Sequence, residues 1–194
     1  DKFPVQERPW YQSAVRDRSS GWTKPFQIGK LPLLGVSSYA PFFDQQGEVQ
    51  GIFAVNVDLT FLQDFLKSLN ICQGCRMVLV DRDGWMLASS IDEKPFLLPQ
   101  QKEYDAGGDY YGTFERLKPN QSRDDVIAFA TNYWQTLTLE KKLQEQLEFR
   151  RNKEQYWLRM IPLESSSSEI PNPDWTIVII VPQSEFMAEI NANT

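Results

Sequence analysis

The sequence predicts an α+β protein built twice over, two antiparallel sheets each flanked by helices. Three observations carry this reading. A long β-rich hairpin pattern is followed at once by residues at helical spacing. A second strand–turn–strand pattern then opens afresh, and two further β-rich runs close the chain. At 194 residues the chain has length for one large or two small cores.

Residues 8–16, RPWYQSAVR, read as a short helix carrying two adjacent aromatics, and Ser19-Ser20-Gly21 ends it. Pro25, Gly29 and Pro32 punctuate the turns and short strands that follow. Leu33 to Phe43 and Val49 to Val57 are β-rich runs joined by Asp44-Gln45-Gln46-Gly47, a turn signal, so the pair reads as a hairpin. Leu59, Leu62, Phe65, Leu66 and Leu69 then recur at helical spacing behind Asp58, a residue type suited to a helix N-cap. The second unit opens with Met77 to Val80, a tight turn at Asp81-Arg82-Asp83-Gly84, and Trp85 to Ala88. An EF-hand loop would need a Glu at its twelfth position, where Asp92 stands, so the turn reads as a plain hairpin. Ile91 to Asn120, rich in Pro, Gly, Lys and Tyr, reads as loop with little regular structure. Ser122 to Asp125 reads as a helix start, and Leu139, Leu143 and Leu147 predict a charged helix with a narrow apolar stripe through about Arg151. Gln155 to Leu163 and Trp175 to Val181 are the last strands, split by a Ser-rich loop over 164–173. From Ser184 the pattern is again that of a helix start.

Composition removes several function classes. Twenty Lys and Arg against 26 Asp and Glu leave a net charge of −6, so a phosphate backbone is repelled on average and nucleic acid is excluded as partner. The chain has no histidine, which removes Ser-His-Asp and Cys-His catalysis and histidine zinc sites. The longest apolar run, Ile177 to Val181, falls far short of the ~20 residues of a membrane span. The chain opens without Met and without a signal-peptide pattern, and is expected to be a piece of a longer protein. Its two cysteines form Cys72-Gln73-Gly74-Cys75, which can be a structural disulfide clip, a pair of idle thiols or a redox dithiol. Zinc is excluded because two further ligands are missing, and no metal or cofactor is expected. If oxidised, the clip implies a compartment outside the reducing cytosol. Glu103, Asp105, Asp109 and Glu115 sit in a polar loop without a basic or metal partner at a diagnostic spacing, so no enzyme activity is expected.

Several of these segments resemble the double Cache domain of bacterial receptors. The resemblance rests on Arg8-Pro9-Trp10-Tyr11, on Trp22-Thr23-Lys24-Pro25-Phe26, and on APFFDQQGEVQGIFAVNVDLTFLQDFL from Ala40. MVLVDRDGWMLASS from Met77 and PDWTIVIIVPQSEFMAEI from Pro173 resemble the first hairpin and the final strand of the membrane-proximal unit. The likeness covers roughly 5–92 and 155–192. It implies two PAS-like Cache units: 1–58 the remainder of a membrane-distal unit lacking its N-terminal part, 59–71 a connecting helix, and 72–194 the membrane-proximal unit with an inserted segment at about 93–154.

The resemblance also implies a ligand site. In amino-acid-binding members the Arg-x-Trp-Tyr helix meets the ligand, which points to Arg8 and Trp10 for a carboxylate and Tyr11 for the ligand body. A planar guanidinium suits a carboxylate because it binds it bidentately. Trp22, Phe26, Tyr39, Asn56 and Asp58 complete the expected contacts, although aromatics at these positions would equally serve a core. The family's acidic partners for an α-ammonium group fall on Ile28 and Asn56, so the expected ligand is anionic or neutral rather than zwitterionic. The function implied is that of a non-enzymatic, extracytoplasmic (periplasmic) small-molecule sensor of a transmembrane histidine kinase, cyclase or chemoreceptor of the inner membrane, homodimeric when full length. The alternative is a ligand-free dimerisation or protein-interaction module of such a receptor.

Overall fold

The structure, a computed structural model, describes residues 4–29, 31–97, 103–104, 110–111, 114–142, 146–165 and 171–185. Helix α1, Pro9–Asp17, begins with proline at its first turn, where the missing N–H costs no hydrogen bond. It stops at Arg18, whose left-handed backbone (φ 51°) directs its N–H to the Ala14 carbonyl. Two short strands follow, β1 (Gly21–Trp22) and β2 (Phe26–Gln27), then two long ones, β3 (Leu34–Phe43) and β4 (Val49–Asp58). Asp44 makes the hairpin turn: its Oδ1 accepts the N–H groups of Gln46 (2.9 Å) and Glu48 (2.8 Å), and Gly47 supplies the positive φ of 85°. β1 and β2 pair end to end along one edge of β3, and β4 runs antiparallel along the other. Helix α2 (Leu59–Ser68) follows without a break. The Asp58 carboxylate accepts the Thr60 N–H at 2.7 Å, as an N-cap does.

Cys72 and Cys75 are joined as a disulfide that closes the turn before β5 (Arg76–Val80). The strands β6 (Met86–Ser89), β7 (Phe96–Leu97), β8 (Glu103–Tyr104), β9 (Tyr110–Tyr111) and β10 (Glu115–Arg116) come next. Helices α3 (Asp125–Thr136) and α4 (Leu139–Lys142) precede β11 (Leu147–Arg151), β12 (Glu154–Pro162) and β13 (Thr176–Pro182). Five of these strands form an antiparallel sheet in the order β11-β12-β13-β5-β6. Val78, Met86, Leu158, Val178 and Ile180 of that sheet pack with Val126, Ile127 and Ala130 of α3 in one fully buried cluster. Asp124 caps α3 through the N–H groups of Val126 and Ile127, both at 3.0 Å, and Arg76 binds the same carboxylate at 2.8 Å. The helix therefore starts where β5 begins.

The expected α+β architecture of antiparallel sheets with helices is borne out. Two local readings are corrected. The helix expected through Arg151 ends at Lys142, and Leu147–Arg151 is a strand. Leu147 and Phe149 are buried while Glu148 and Arg150 are exposed, a period of two rather than four, and Asn152 and Lys153 at φ 50° and 67° make the tight turn into β12. Leu143, the middle of the expected stripe, lies outside the described residues. The segment read as loop over 91–120 contains β7 and β10, paired antiparallel, with Phe96 edge-on to Phe114 at 5.2 Å.

The chain forms two compact units. The first comprises Asp1–Phe61, Leu98–Thr113 and Glu164–Pro173, the second Leu62–Leu97, Phe114–Leu163 and Asp174–Thr194. These differ from the boundaries expected from the sequence, which place 98–113 and 164–173 in the second unit. The Trp22 indole N–H donates to the Pro171 carbonyl at 3.0 Å and so ties part of the Ser-rich loop to the first unit. Residues 183–185 begin a helical turn, as expected from Ser184, and 186–194 lie outside the described residues.

Candidate functional site

The first unit brings Tyr39, Asn56 and Asp58 to one face of its sheet, whereas Trp22, opposite Ser38, belongs to the other face. Side chains alternate across a strand, so Gly35, Ser37 and Tyr39 share a face of β3 with Ala54, Asn56 and Asp58, which lie opposite them on β4. Helix α1 packs on β3 and β4, and the Tyr39 hydroxyl, which donates to Asp17 of α1 at 2.7 Å, shows that this is the face it covers. Arg8 stands at the N-cap of α1 and is half-buried. Trp10 and Tyr11 follow it, their ring centroids 6.0 Å apart at 67°.

The polar groups of this face differ in what they have left to offer. Ser37 is fully buried, and its hydroxyl donates to Asn56 Oδ1 at 2.5 Å, which turns the two N–H donors of that amide away from the serine. Asn56 itself is exposed. Asp58 uses one oxygen to cap α2. Tyr39 is 4% exposed and engaged by Asp17, so its hydroxyl holds α1 to the sheet rather than reaching a ligand. Burial, and then the hydrogen bond to Asp17, push the phenol up to about 12. Asp17 in turn is held below the usual carboxylate range by hydrogen bonds from Arg16 and Tyr39. Ile28 approaches the same face: a side chain at Gly35 would come within 2.2 Å of its Cδ1 and 2.7 Å of the Val57 carbonyl. Gly35 is thus required by close approach, and an apolar group lies beside it.

Trp22 and Phe26 lie on β1 and β2, along the edge of β3 opposite β4, and both are half-buried. Trp22 serves at least in part as the latch to Pro171. Ser37, Thr23 and Asp17 are not among the residues that the sequence marks for this site. Thr23 accepts the Ser37 N–H at its hydroxyl (2.8 Å) and returns its own N–H to the Ser37 carbonyl (2.9 Å), fixing the serine that orients Asn56.

The second unit has a cavity of about 80 Å³ between α3 and its sheet, lined by Val80, Leu158, Val178, Thr131 and Trp134. Its lining is largely apolar, and the Thr131 hydroxyl donates to the Ile127 carbonyl at 2.9 Å. The buried Glu93 accepts from the Ser122 hydroxyl (2.5 Å) and the Arg123 N–H (2.7 Å), a structural tie. Among the described residues no cluster of three or more His, Cys, Asp or Glu is arranged to hold a metal ion.

Comparison with known proteins bears on the fold. Residues 1–64 match the family model of the first PDC sensor domain of methyl-accepting chemotaxis protein-like receptors. The fold is similar to the ligand-binding domain of the Pseudomonas fluorescens chemoreceptor CtaA, solved with L-isoleucine (16% identity, TM-score 0.54, 95% of this chain and 60% of that one). It is also similar to the ligand-binding domain of the Pseudomonas aeruginosa amino acid chemoreceptor PctB, solved with L-Arg (17%, 0.53, 96% and 59%). A third likeness is to the extracellular domain of mmHK1S-Z3, a protein assigned as a histidine kinase (16%, 0.56, 98% and 59%). No curated protein matches the chain in sequence. The chain spans about 60% of the length of the solved chains it resembles. Its fold is that of the extracytoplasmic PDC/Cache-type sensor domains, as the sequence resemblance implied. Among the described residues no helix is long and apolar enough to cross a membrane.

Proposed function

We propose that this chain is the small-molecule-binding part of a transmembrane signalling receptor, exposed outside the cytoplasm, and that its ligand is anionic or neutral. The ligand would lie against the first unit's sheet under α1, with Arg8 and the Asn56 amide as donors and Trp10, Tyr11 and Phe26 as apolar walls. The observation that carries this reading is the state of the carboxylates on that face. Asp17 is engaged by Arg16 and Tyr39, Asp58 caps α2, and the remaining polar position is an amide whose acceptor oxygen is taken by Ser37. An α-ammonium group would have to compete with Arg16, Tyr39 and the start of α2 for the carboxylates of Asp17 and Asp58. A carboxylate would meet donors.

The domain binds and does not turn its ligand over. Signal transmission requires that the ligand favour one conformation of the receptor by its differential affinity. The receptor reading expects an apolar span of ~20 residues in the flanking polypeptide, and dimerisation of the full-length receptor. The binding test is a thermal-shift and calorimetric screen of mono- and dicarboxylates, neutral analogues and the common α-amino acids. A carboxylate or neutral compound is expected to stabilise the protein and the amino acids to leave it unchanged. Stabilisation by amino acids alone, or by nothing in the screen, overturns the proposal.

A further inference from the structure

The disulfide between Cys72 and Cys75 differs from a purely structural cross-link in its loop, its exposure and its surroundings. Gln73 and Gly74 alone separate the cysteines, so the chain entropy that the bond removes is small. β5, which follows, is held independently by its pairing with β13 and β6. Both cysteines are half-buried, and Ile71, Gln73 and Gly74 around them are exposed. Exposed disulfides are the ones most readily opened by exchange. The chain has no third cysteine to capture a released thiol. A main-chain bond from the Cys75 N–H to the Cys72 carbonyl, at 3.3 Å, keeps the two residues together once the sulfurs part.

The same turn holds a side chain on which α3 depends. The Gly74 carbonyl, in a residue whose φ is 78°, accepts Nη1 of Arg76 at 2.6 Å. Nε of that guanidinium bonds the two carboxylate oxygens of Asp124 at 2.9 and 2.8 Å. Asp124 in turn accepts the Val126 and Ile127 N–H groups that open α3. The cross-link thus constrains a carbonyl that positions an arginine, and the arginine steadies the first turn of a helix whose Val126, Ile127 and Ala130 lie in the second unit's core.

We infer that Cys72 and Cys75 are a thiol–disulfide exchange site for an external dithiol, and that the state of the pair sets how firmly α3 is held at its start. A thiolate of the dithiol attacks one cysteine sulfur, the S–S bond breaks, and the other cysteine leaves as a thiolate. The second thiol of the reagent then attacks the mixed disulfide and releases the first cysteine. The dithiol ends as its own disulfide, and its two electrons and two protons end on Cys72 and Cys75 as thiols. With the ring open, Gly74 loses the constraint that aims its carbonyl at Arg76, and Arg76 holds Asp124 less tightly.

The test is reduction of the folded protein by dithiothreitol without denaturant, read by alkylation and mass spectrometry, with amide hydrogen exchange measured on both forms. Both thiols are expected to become alkylated while the protein stays folded, at a rate that rises with dithiothreitol concentration. In the reduced form the amides of Val126 and Ile127 exchange at least about tenfold faster, and that of Val178 in the sheet is unchanged. Cys72→Ser with Cys75→Ser reproduces the fast exchange with no reductant. Arg76→Gln, which keeps the cysteines, exchanges fast in both forms and so loses the redox dependence. Reduction at the rate of global unfolding, whatever the dithiothreitol concentration, overturns the exchange site, and so does a double-serine variant that does not fold. Equal exchange at Val126 and Ile127 in the two forms, or an equal change at Val178, overturns the link to α3.

Discussion

The Tyr39 hydroxyl donates to Asp17 at 2.7 Å from a side chain that is 4% exposed, so the residue holds α1 on the sheet. Its folded pKa is raised from 10.0 to about 12, chiefly by burial. A phenol raised in this way keeps its proton after the unfolded chain has released one. Its stabilisation is therefore complete below pH 10.0 and is lost as pH rises to about 12. Tyr39→Phe is expected to remove its share of this loss, on the order of 2 kcal/mol, so that the urea midpoint falls less across that window than the parent's; Tyr156, whose phenol burial also raises, keeps part of the fall. At Arg8 the expectation concerns binding. A carboxylate at 100 times its Kd stabilises a protein by about 2.7 kcal/mol, and Arg8→Ala should remove that stabilisation while leaving the unliganded melting temperature within about 2 °C. An unfolded variant, or one that binds as well as its parent, would remove Arg8 from the site. The pair Ile28→Asp with Asn56→Asp adds two carboxylates that are not already engaged by Arg16, Tyr39 or the start of α2. Calorimetry should then detect at least one amino acid that the parent does not bind.

Two elements owe their position to residues distant in sequence. Asp124 begins α3 by accepting the N–H groups of Val126 and Ile127 and also receives Arg76 from the start of β5, with both side chains about four-fifths buried. Asp124→Ala removes a cap, at about 1 kcal/mol, and strands a largely buried guanidinium, so roughly 2–3 kcal/mol is expected in all. Asp124→Asn keeps the cap and should recover about half of it in denaturant titration; equal losses for the two variants would assign the whole effect to the ion pair. The disulfide of Cys72 and Cys75 closes a very short loop before β5. The chain-entropy relation limits its contribution to about 2 kcal/mol, so Cys72→Ser with Cys75→Ser should fold and lose no more than this.

At the scale of the whole molecule, the proposed binding face and the buried cluster around α3 belong to different units. Leu158, 1% exposed, lies in the second unit's core. Leu158→Ala is expected to lower stability by about 2–5 kcal/mol through the cavity it leaves. Its carboxylate Kd, measured by calorimetry well below the melting transition, should equal that of the parent. A Kd that weakened together with the stability would mean that the site depends on the second core.

Local chemistry makes much of this protein legible in its amino-acid order. Asp44 to Gly47 and Asp81 to Gly84 are turns because Asp side chains accept nearby N–H groups and Gly tolerates positive φ, and both hairpins form at these residues. The helices at Pro9 and Leu59 are likewise marked by their starts. The stretch from Leu139 to Arg151 is not legible in this way, because four-residue leucine spacing among charges also fits a short helix followed by an alternating strand, and only pairing with β12 selects the strand. The site shows the same division. Arg8, Trp10 and Tyr11 are neighbours in sequence and can be read together. The contact of Ser37 with Asn56 depends on a register shift between Phe42 and Phe43, without which Val55 would stand opposite Ser37 and the amide would face the other side of the sheet. Interactions within a few residues are written into the chain's own chemistry, whereas a one-residue slip between strands is settled only when both faces of the sheet and everything packed on them are in place.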